Sequence, residues 1–443
     1  MSTAAGGGVG IVRVSGPDAI PLAKRIFFTQ SKKPFESHRV YYGTIKDTAG
    51  AVIDEAILVI MFAPKTYTRE DVAEFQCHGG EESLRRVLAA AIKAGARAAE
   101  PGEFTKRAFL NGRIDLAQAE AVMDMVSASS ERARAAALDQ LSGRLSNRIN
   151  MLYDSILTEL AGIEAAIDDP EHKTGDDGRK DRINAIKQDA DTLLSTFEYG
   201  RVCREGINTV IFGKPNVGKS SILNCLLGQD RAIVTEIPGT TRDILKESIR
   251  LKNNGLVLNL TDTAGIRKTD ETVESIGVER AREAAAGADL VLCVLDGSAE
   301  LSREDEEIIS QLRALNTKVI YVINKSDLPK TLDSSCLAGA DIICISAKYM
   351  TNIDSLIRVI EERFTSGKAT EETVLITSAR HAGLLRETVN SLENARIAAE
   401  QDIPEDFISI DLTEACGYLA KICGRDAGED LVNSIFDKFC IGK

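Results

Sequence analysis

An apolar run at 207–212 leads directly into Gly213-Lys214-Pro215-Asn216-Val217-Gly218-Lys219-Ser220, and a helical pattern at 221–227 follows. A buried strand, a glycine-rich turn and a helix in that order leave few folds open. The spacing G-x-x-x-x-G-K-S is that of a phosphate-binding loop. Gly213 and Gly218 let the backbone turn tightly enough for successive N–H groups to face the phosphates. Lys219 has the reach for the β- and γ-phosphates, and the Ser220 hydroxyl suits Mg²⁺. A chance match would lack the flanking strand and helix. The stretch predicts a nucleotide-phosphate site on an α/β domain.

The residues downstream predict which nucleotide. Gly239-Thr240-Thr241-Arg242-Asp243 follows Pro238, and a threonine hydroxyl there can complete the Mg²⁺ shell and sense the γ-phosphate. Residues 246–251, the turn Asn253-Asn254-Gly255 and residues 256–261 read as a hairpin. It delivers Asp262-Thr263-Ala264-Gly265, an aspartate to support Mg²⁺ and a glycine N–H for the γ-phosphate. A strand at 319–323 ends in Asn324-Lys325-Ser326-Asp327. A buried carboxylate at Asp327 accepts two hydrogen bonds from guanine, whereas adenine would leave that charge unpaired and is rejected. Ser346-Ala347-Lys348, after a strand at 341–345, offers a backbone N–H to the guanine O6. Five such elements in order, each after a strand, predict GTP. Many GTPases place a glutamine directly after the glycine of the third motif to orient water. Ile266 stands there, so either hydrolysis is slow or another group acts. Glu271, Glu274 and Glu279 follow; on charge alone each reads first as a solvated helix residue.

At 443 residues the chain predicts about three domains. Its net charge of −13 and pI near 5.1 argue against a broad electrostatic grip on nucleic acid. The nine cysteines include no C-x-x-C pair, so neither a zinc site nor a disulfide framework is indicated. No stretch is long and apolar enough to span a membrane and no secretory leader is visible, so a reducing cytoplasm is expected. Residues 9–14, 40–45, 57–62 and 72–78 read as strands and 81–94 as a helix, an α+β pattern. Arg13 interrupts the apolar strand 9–14, either as an edge arginine facing water or as a ligand group. Glu74, Gln76 and His78 share one face of their strand, again either solvated or functional. Residues 101–113 read as a loop and turn of mixed charge. Beyond Leu116 the pattern becomes helical. Leu138, Leu141, Leu145, Ile149, Leu152, Ile156, Leu160, Ile163 and Ile167 form one stripe, predicting a single long helix stopped by Asp168-Asp169-Pro170. After the polar segment 172–178, a second helix is marked by Ile183, Ile186, Ala190, Leu193 and Phe197 and ends at Gly200. Helical periodicity returns with Leu385, Val389 and Leu392, and with Leu431, Ile435 and Phe439. One bundle built from both halves is expected, with the nucleotide domain inserted between them.

Taken together, the GKPNVGKSS, GTTRD, DTAG, NKSD and SAK motifs, EFTKRAFLNGRIDLAQAEA at 103–121 and the closing Phe439-Cys440-Ile441-Gly442-Lys443 resemble the MnmE (TrmE) family of tRNA-modification GTPases over nearly the whole length. The resemblance implies an α+β tetrahydrofolate-binding-like domain at 1–113, a helical domain at 114–205 and 367–443, and a P-loop GTPase domain at 206–366. It implies GTP contacts at Asn216, Val217, Gly218, Lys219, Ser220 and Ser221, and at Thr235, Glu236, Ile237, Pro238, Gly239, Thr240 and Thr241. Further GTP contacts are implied at Asp262, Thr263, Ala264 and Gly265, at Asn324, Lys325, Ser326 and Asp327, and at Ser346, Ala347 and Lys348. Ser220 and Thr241 would bind Mg²⁺, and Asn216, Thr235, Ile237 and Thr240 would bind K⁺. Glu274 would orient the attacking water. Arg13, Glu74, Arg113 and Lys443 would hold a one-carbon tetrahydrofolate of 5-formyl or 5,10-methylene type, with Cys440 near it as a second catalytic candidate. The family often has lysine at Arg113, which keeps charge but changes donor geometry. The implied partners are a second copy joined through the first domain, with K⁺- and GTP-dependent pairing of nucleotide domains, an FAD- and NADH-dependent MnmG (GidA) subunit, and tRNA modified at carbon 5 of wobble uridine U34. The family's leading strand, reading like DTIAAIATP, has no counterpart before Val9, where residues 1–8 are low in complexity. That departure bears on the folate site and the first-domain dimer, not on the GTPase. The competing expectation is a GTP-driven ribosome-assembly factor or switch without modification chemistry, which an appended basic RNA-binding module would favour and none is visible.

Overall fold

A computed structural model describes residues 7–31, 33–168, 178–228, 246–251, 255–261, 284–315, 317–333, 335–365, 373–401, 403–425, 428–437 and 439. The chain forms two compact units, one of 1–126, 140–187 and 387–443 and the other of 127–139 and 188–386.

The first unit begins with five antiparallel strands. These are β1 (Val9–Ser15), β2 (Phe27–Phe28), β3 (Arg39–Lys46), β4 (Val52–Met61) and β5 (Val72–His78), ordered β1-β5-β4-β3-β2. Alternation along β5 buries Ala73, Phe75 and Cys77 beneath α1 (Ala19–Ile26) and α2 (Glu81–Lys93). The opposite face keeps Val40, Tyr42 and Ile57 exposed, with Tyr42 and Ile57 directly paired across β3 and β4.

Residues 103–110, expected as a loop, form helix α3 (Glu103–Leu110). Phe104 and Ala108, four residues apart, bury one face, and Glu103 in the first turn favours the helix dipole. The preceding Gly102 has φ +66°, and a Cβ there would lie 2.9 Å from the Phe436 carbonyl. Pro101-Gly102 marks the entry to this helix rather than a turn in its place.

The single long helix expected from the leucine–isoleucine stripe is divided. After α4 (Leu116–Ser127) come α5 (Glu131–Leu141) and α6 (Arg144–Asp168). Gly143, with φ +87°, interrupts the helical backbone between them. The stripe itself survives, because Leu145, Ile149, Leu152, Ile156 and Ile163 are all buried on α6. Each such side chain stabilises the fold by about 1.5–3 kcal/mol relative to exposure.

Helix α7 (Arg179–Ser195) is followed after Thr196 by α8 (Phe197–Glu205), so helical structure runs past Gly200, where a stop was expected. The glycine serves close approach: a Cβ at 200 would lie 2.2 Å from the Ile376 carbonyl oxygen.

The second unit contains a six-stranded sheet ordered β11-β10-β9-β6-β8-β7. Its strands are β6 (Ile207–Phe212), β7 (Lys246–Arg250), β8 (Val257–Thr261), β9 (Leu290–Asp296), β10 (Lys318–Asn324) and β11 (Asp341–Cys344). All pairs are parallel except the β7–β8 hairpin. Strands β6, β9 and β10 are nearly all apolar because helices α9 (Lys219–Gly228), α10 (Arg303–Ala314) and α11 (Ile353–Thr365) belong to the cores of this unit.

The chain closes with α12 (Ala379–Glu400), α13 (Glu405–Cys423) and α14 (Glu429–Phe436). Helix α6 packs against α13, and ion pairs tie α7 to both neighbours, Arg179 to Glu405 and Lys187 to Glu393. The two helical halves thus share one bundle. Phe436 and Phe439 join Leu116, Ala119 and Val122 of α4 in a separate apolar cluster, so Phe439 packs just beyond the helix it was expected to extend.

Candidate functional site

The sheet order around β6 has neighbours leaving in opposite directions, β8 on one side and β9 on the other. In open α/β sheets that switch point is where ligands bind, beyond the carboxyl ends of the strands. The loop 213–218 sits there, between the buried end of β6 and the first turn of α9. Its glycines are sterically required. Gly213 has φ +149° and a Cβ would lie 2.4 Å from the Val294 carbonyl oxygen; at Gly218, φ +101°, a Cβ would lie 2.1 Å from Asn324 Nδ2. Asn216 also takes the left-handed region, at φ +63°, which asparagine tolerates better than most residues. Lys219 Nζ donates to the carbonyls of Gly213 at 2.8 Å and Lys214 at 2.5 Å, folding the cation over the loop. Ser220 and Ser221 are exposed on the first turn of α9, and Val217 is buried beneath the loop. A cradle closed to side chains, a lysine over it and a hydroxyl at the helix start fit a nucleotide's phosphates with Mg²⁺.

The second loop follows β10. Asn324, buried, donates from Nδ2 to the Val217 carbonyl at 2.9 Å and accepts from the Ala347 N–H at 3.0 Å. One amide thus fixes the phosphate loop, the 324–327 loop and the 346–348 loop together. Lys325 takes φ +64° and donates to Asp296 Oδ2 at 2.5 Å. Burial works to raise the Asp296 pKa, but Lys325, together with the hydroxyl and N–H of Ser298, holds it below the usual carboxylate range. Asp327 Oδ1 accepts from Ser346 Oγ at 2.6 Å. The carboxylate expected to be buried is exposed, because Asp327 stands three residues past the end of β10 on an outer turn. Ser346 and Ala347 are buried, and the exposed Lys348 ammonium lies 5.1 Å from the Tyr349 ring centroid. Cys225 of α9 donates from Sγ to the Ala347 carbonyl at 3.1 Å.

The hairpin that delivers the third motif is present as β7 and β8. Thr235, Glu236, Ile237, Pro238, Gly239, Thr240, Thr241, Asp262, Thr263, Ala264, Gly265, Glu274, Cys440 and Lys443 lie outside the described residues.

Three contacts escaped the sequence reading. Asp296 pairs with Lys325, Asp305 pairs with Lys214, and Ser302 bonds Lys214 as well. Two signals pointed to them: a carboxylate ending the apolar strand β9, and the capping pattern Ser302-x-x-Asp305 that opens α10.

In the amino-terminal sheet, Arg13 and Glu74 are direct cross-strand partners, and the Arg13 guanidinium hydrogen-bonds the Glu74 carboxylate. Their side chains are 25% and 13% exposed, so Arg13 is not the solvated edge residue that one reading expected. Helix α3 links this pair to Arg113. The Arg13 guanidinium lies 5.8 Å from the Phe104 ring centroid, and the Thr105 and Tyr67 hydroxyls are 3.0 Å apart. Arg113 in turn stacks 4.6 Å from the Tyr67 ring centroid and donates to the Tyr67 carbonyl at 2.9 Å. Arg13, Phe104, Arg97 and Arg107 line a cavity of about 220 Å³. At its rim Arg107 donates to Glu103 at 2.8 Å and Glu70 at 2.9 Å. Burial would raise the Glu103 pKa, but Arg97, the Glu100 N–H and Arg107 outweigh it and hold the carboxyl down to about 2.

A phosphate loop at the β6 switch point, with a base loop locked to it through Asn324, defines a P-loop GTPase domain. Two family descriptions match: "GTP-binding protein TrmE N-terminus" over residues 1–113, before that domain, and "MnmE helical domain" over 116–440, a span that encloses it. The tRNA modification GTPase MnmE of Lachnoclostridium phytofermentans is 46% identical over 448 residues, covering 98% of this chain and 96% of that protein. The protein of the same name from Bacillus subtilis is 42% identical, covering 99% of this chain and 97% of its own length. The chain belongs to the MnmE family of tRNA modification GTPases. It is a GTP hydrolase, with a GTPase domain inserted in a helical domain and preceded by an α+β TrmE-type amino-terminal domain. Among solved structures, an Era variant from Aquifex aeolicus bound to GDP and AlF4⁻ is similar, with 28% identity and a TM-score of 0.28. That likeness covers 42% of this chain and 66% of the other.

Proposed function

We propose that the chain hydrolyses GTP in a K⁺-dependent manner and that this drives tRNA modification. With an FAD- and NADH-dependent MnmG-type subunit, it installs a carboxymethylaminomethyl or aminomethyl-type group at carbon 5 of U34. The observation that carries this reading is 46% identity to a tRNA modification GTPase across 98% of the chain. The domain plan of 1–113, 114–205, 206–366 and 367–443 goes with it.

Within the nucleotide domain, the phosphate loop from Asn216 to Ser221 holds the triphosphate, and Asp327 with a backbone N–H of the 346–348 loop reads guanine. Ser220 and Thr241 would hold Mg²⁺, which neutralises phosphate charge when bound. Asn216 and the carbonyls of Thr235, Ile237 and Thr240 would hold K⁺ in the place that an arginine finger fills elsewhere, an effect worth roughly 10³–10⁵ in rate. Two nucleotide domains meet to organise that segment, and Glu274 positions the water that Ile266 cannot.

A one-carbon tetrahydrofolate lies at Arg13, Glu74, Arg113 and Lys443, with Cys440 beside it. The half-buried Arg13–Glu74 pair supports this reading, since a charged pair held off solvent by Phe104 suits recognition of a polar heterocycle. The exposed Val40, Tyr42 and Ile57 on the uncovered sheet face support a homodimer through this domain. Among the described residues no disulfide links any of the eight cysteines, six of which are buried, and this accords with a reducing cytoplasm. No helix among the described residues is long and apolar enough to cross a membrane.

The test is turnover in matched ionic strength. GTP hydrolysis should rise steeply with K⁺ and with protein concentration, and both Asn216→Ala and Glu274→Ala should be slow. Equal rates in NaCl and KCl would overturn the K⁺ assignment.

A further inference from the structure

Two lysines flank the phosphate loop, and the structure gives them opposite tasks. Lys219 turns inward over the loop carbonyls, whereas Lys214 turns outward. Its Nζ lies 2.5 Å from Asp305 Oδ2 and donates to Ser302 Oγ at 2.7 Å. Asp305 is 4% exposed, and its Oδ1 is buried without a hydrogen-bond partner. The Lys214 ammonium is therefore the cation facing a buried carboxylate, and Oδ2 is also held by the Ser302 N–H at 3.0 Å within the α10 capping box. Burial, with the Asp305 charge next to it, pushes the neighbouring Cys293 thiol up to about 12. At the other end of the same connection, Asp296 holds Lys325 of the base loop, and the Gly297 N–H donates to the Asn324 carbonyl at 2.8 Å.

We infer that the 296–305 connection is a brace for the nucleotide site, in which Asp305 positions the phosphate loop through Lys214 and Asp296 positions the base loop through Lys325. Neither carboxylate touches nucleotide. The path to the phosphates is short: Asp305 fixes the Lys214 side chain, and the Lys214 carbonyl is one of the two oxygens that receive Lys219 Nζ. The path to the base is equally short, because Lys325 sits between Asn324 and Asp327. A charge pair this far from solvent is strongly coupled, since removing one partner strands the other in a low dielectric.

This inference rests on reading 213–220 as the phosphate loop and 324–327 as the base loop. The experiment measures GTP and ITP dissociation constants and melting temperature for the full chain and its variants. Asp305→Asn, which keeps an acceptor for the Ser302 cap, should weaken GTP and ITP by the same factor, about tenfold. Lys214→Met should do likewise, Lys214→Arg should restore binding, and the Lys214→Met/Asp305→Asn double variant should be no worse than the poorer single. Asp296→Asn should instead narrow the preference for GTP over ITP by at least about threefold. A general loss of stability would leave that ratio unmoved. GTP affinity within twofold of the parent in both Asp305→Asn and Lys214→Met would overturn the phosphate-loop arm, and an unchanged GTP:ITP ratio in Asp296→Asn would overturn the other. Lys219→Ala in the same series separates the two levels. Intact nucleotide binding there would mean that the loop assignment itself is wrong, whereas lost binding there beside parent-like Asp305→Asn would sink only the brace.

Discussion

At the nucleotide end of the six-stranded sheet, the contacts that join the phosphate loop to the base loop run between side chains and backbone, with the Lys214 and Lys325 ion pairs bracing them from outside. Asn324 bridges the Val217 carbonyl and the Ala347 N–H, and Lys219 rests on the carbonyls of residues 213 and 214. On the amino-terminal sheet, side chains answer side chains: Arg13 meets Glu74, and Arg107 lies between Glu70 and Glu103. The first site is built by backbone shape and has no room for added atoms. The second is built by charge balance and has no tolerance for a lost proton acceptor. Each should therefore fail under a different insult.

The largest effect is expected from adding one carbon to the first site. Gly218→Ala sets a Cβ against Asn324 Nδ2 at a backbone angle that side chains avoid. Strain of about 1–3 kcal/mol falls on the loop itself, and calorimetric titration should show GDP affinity reduced by about ten- to a hundredfold. Parent-like affinity would mean that the loop is not shape-limited. Asp327→Asn should come next, with loss of GTP on the order of a hundredfold. Xanthosine triphosphate should restore binding, because an amide can donate to the xanthine 2-oxo group. An unaltered preference for GTP would show that the base is read elsewhere.

In the second site, Glu74→Gln should weaken tetrahydrofolate binding by about 1–3 kcal/mol, measured by fluorescence titration, while GTP turnover stays at the parent rate. Equal loss of both would erase the distinction between the two regions. The smallest effect concerns acid. Glu103 has its folded-state pKa depressed to about 2 by Arg97 and Arg107. Its contribution to stability is therefore complete above the ordinary glutamate value and is lost as pH falls from there towards 2. Glu103→Gln should lower stability at neutral pH and flatten its dependence on pH across that window. Identical acid-unfolding curves for variant and parent would contradict the network.

The reach of each interaction explains what the sequence disclosed. The phosphate and base loops are contiguous stretches whose chemistry is local, so their residues and roles could be read directly. The helical bundle was legible through periodicity, although Gly143 divided one stripe between two helices and the close approach of Ile376 to Gly200 hid the continuation of α8. Helix α3 was missed because its eight residues carry mixed charge after Pro101-Gly102. The charge pairs were beyond reach for a different reason. Arg13 and Glu74 are 61 positions apart, and Lys214 and Ser302 are 88 apart, so only the folded sheet brings them together.

The central claim is that GTP hydrolysis at the Lys219 loop drives tRNA modification. Mass spectrometry of wobble uridines tests it in cells whose only copy of this chain carries Lys219→Ala. The account predicts that the carbon 5 modification of U34 disappears and returns with the parent chain. Modified uridine at the parent level in the Lys219→Ala cells would contradict it.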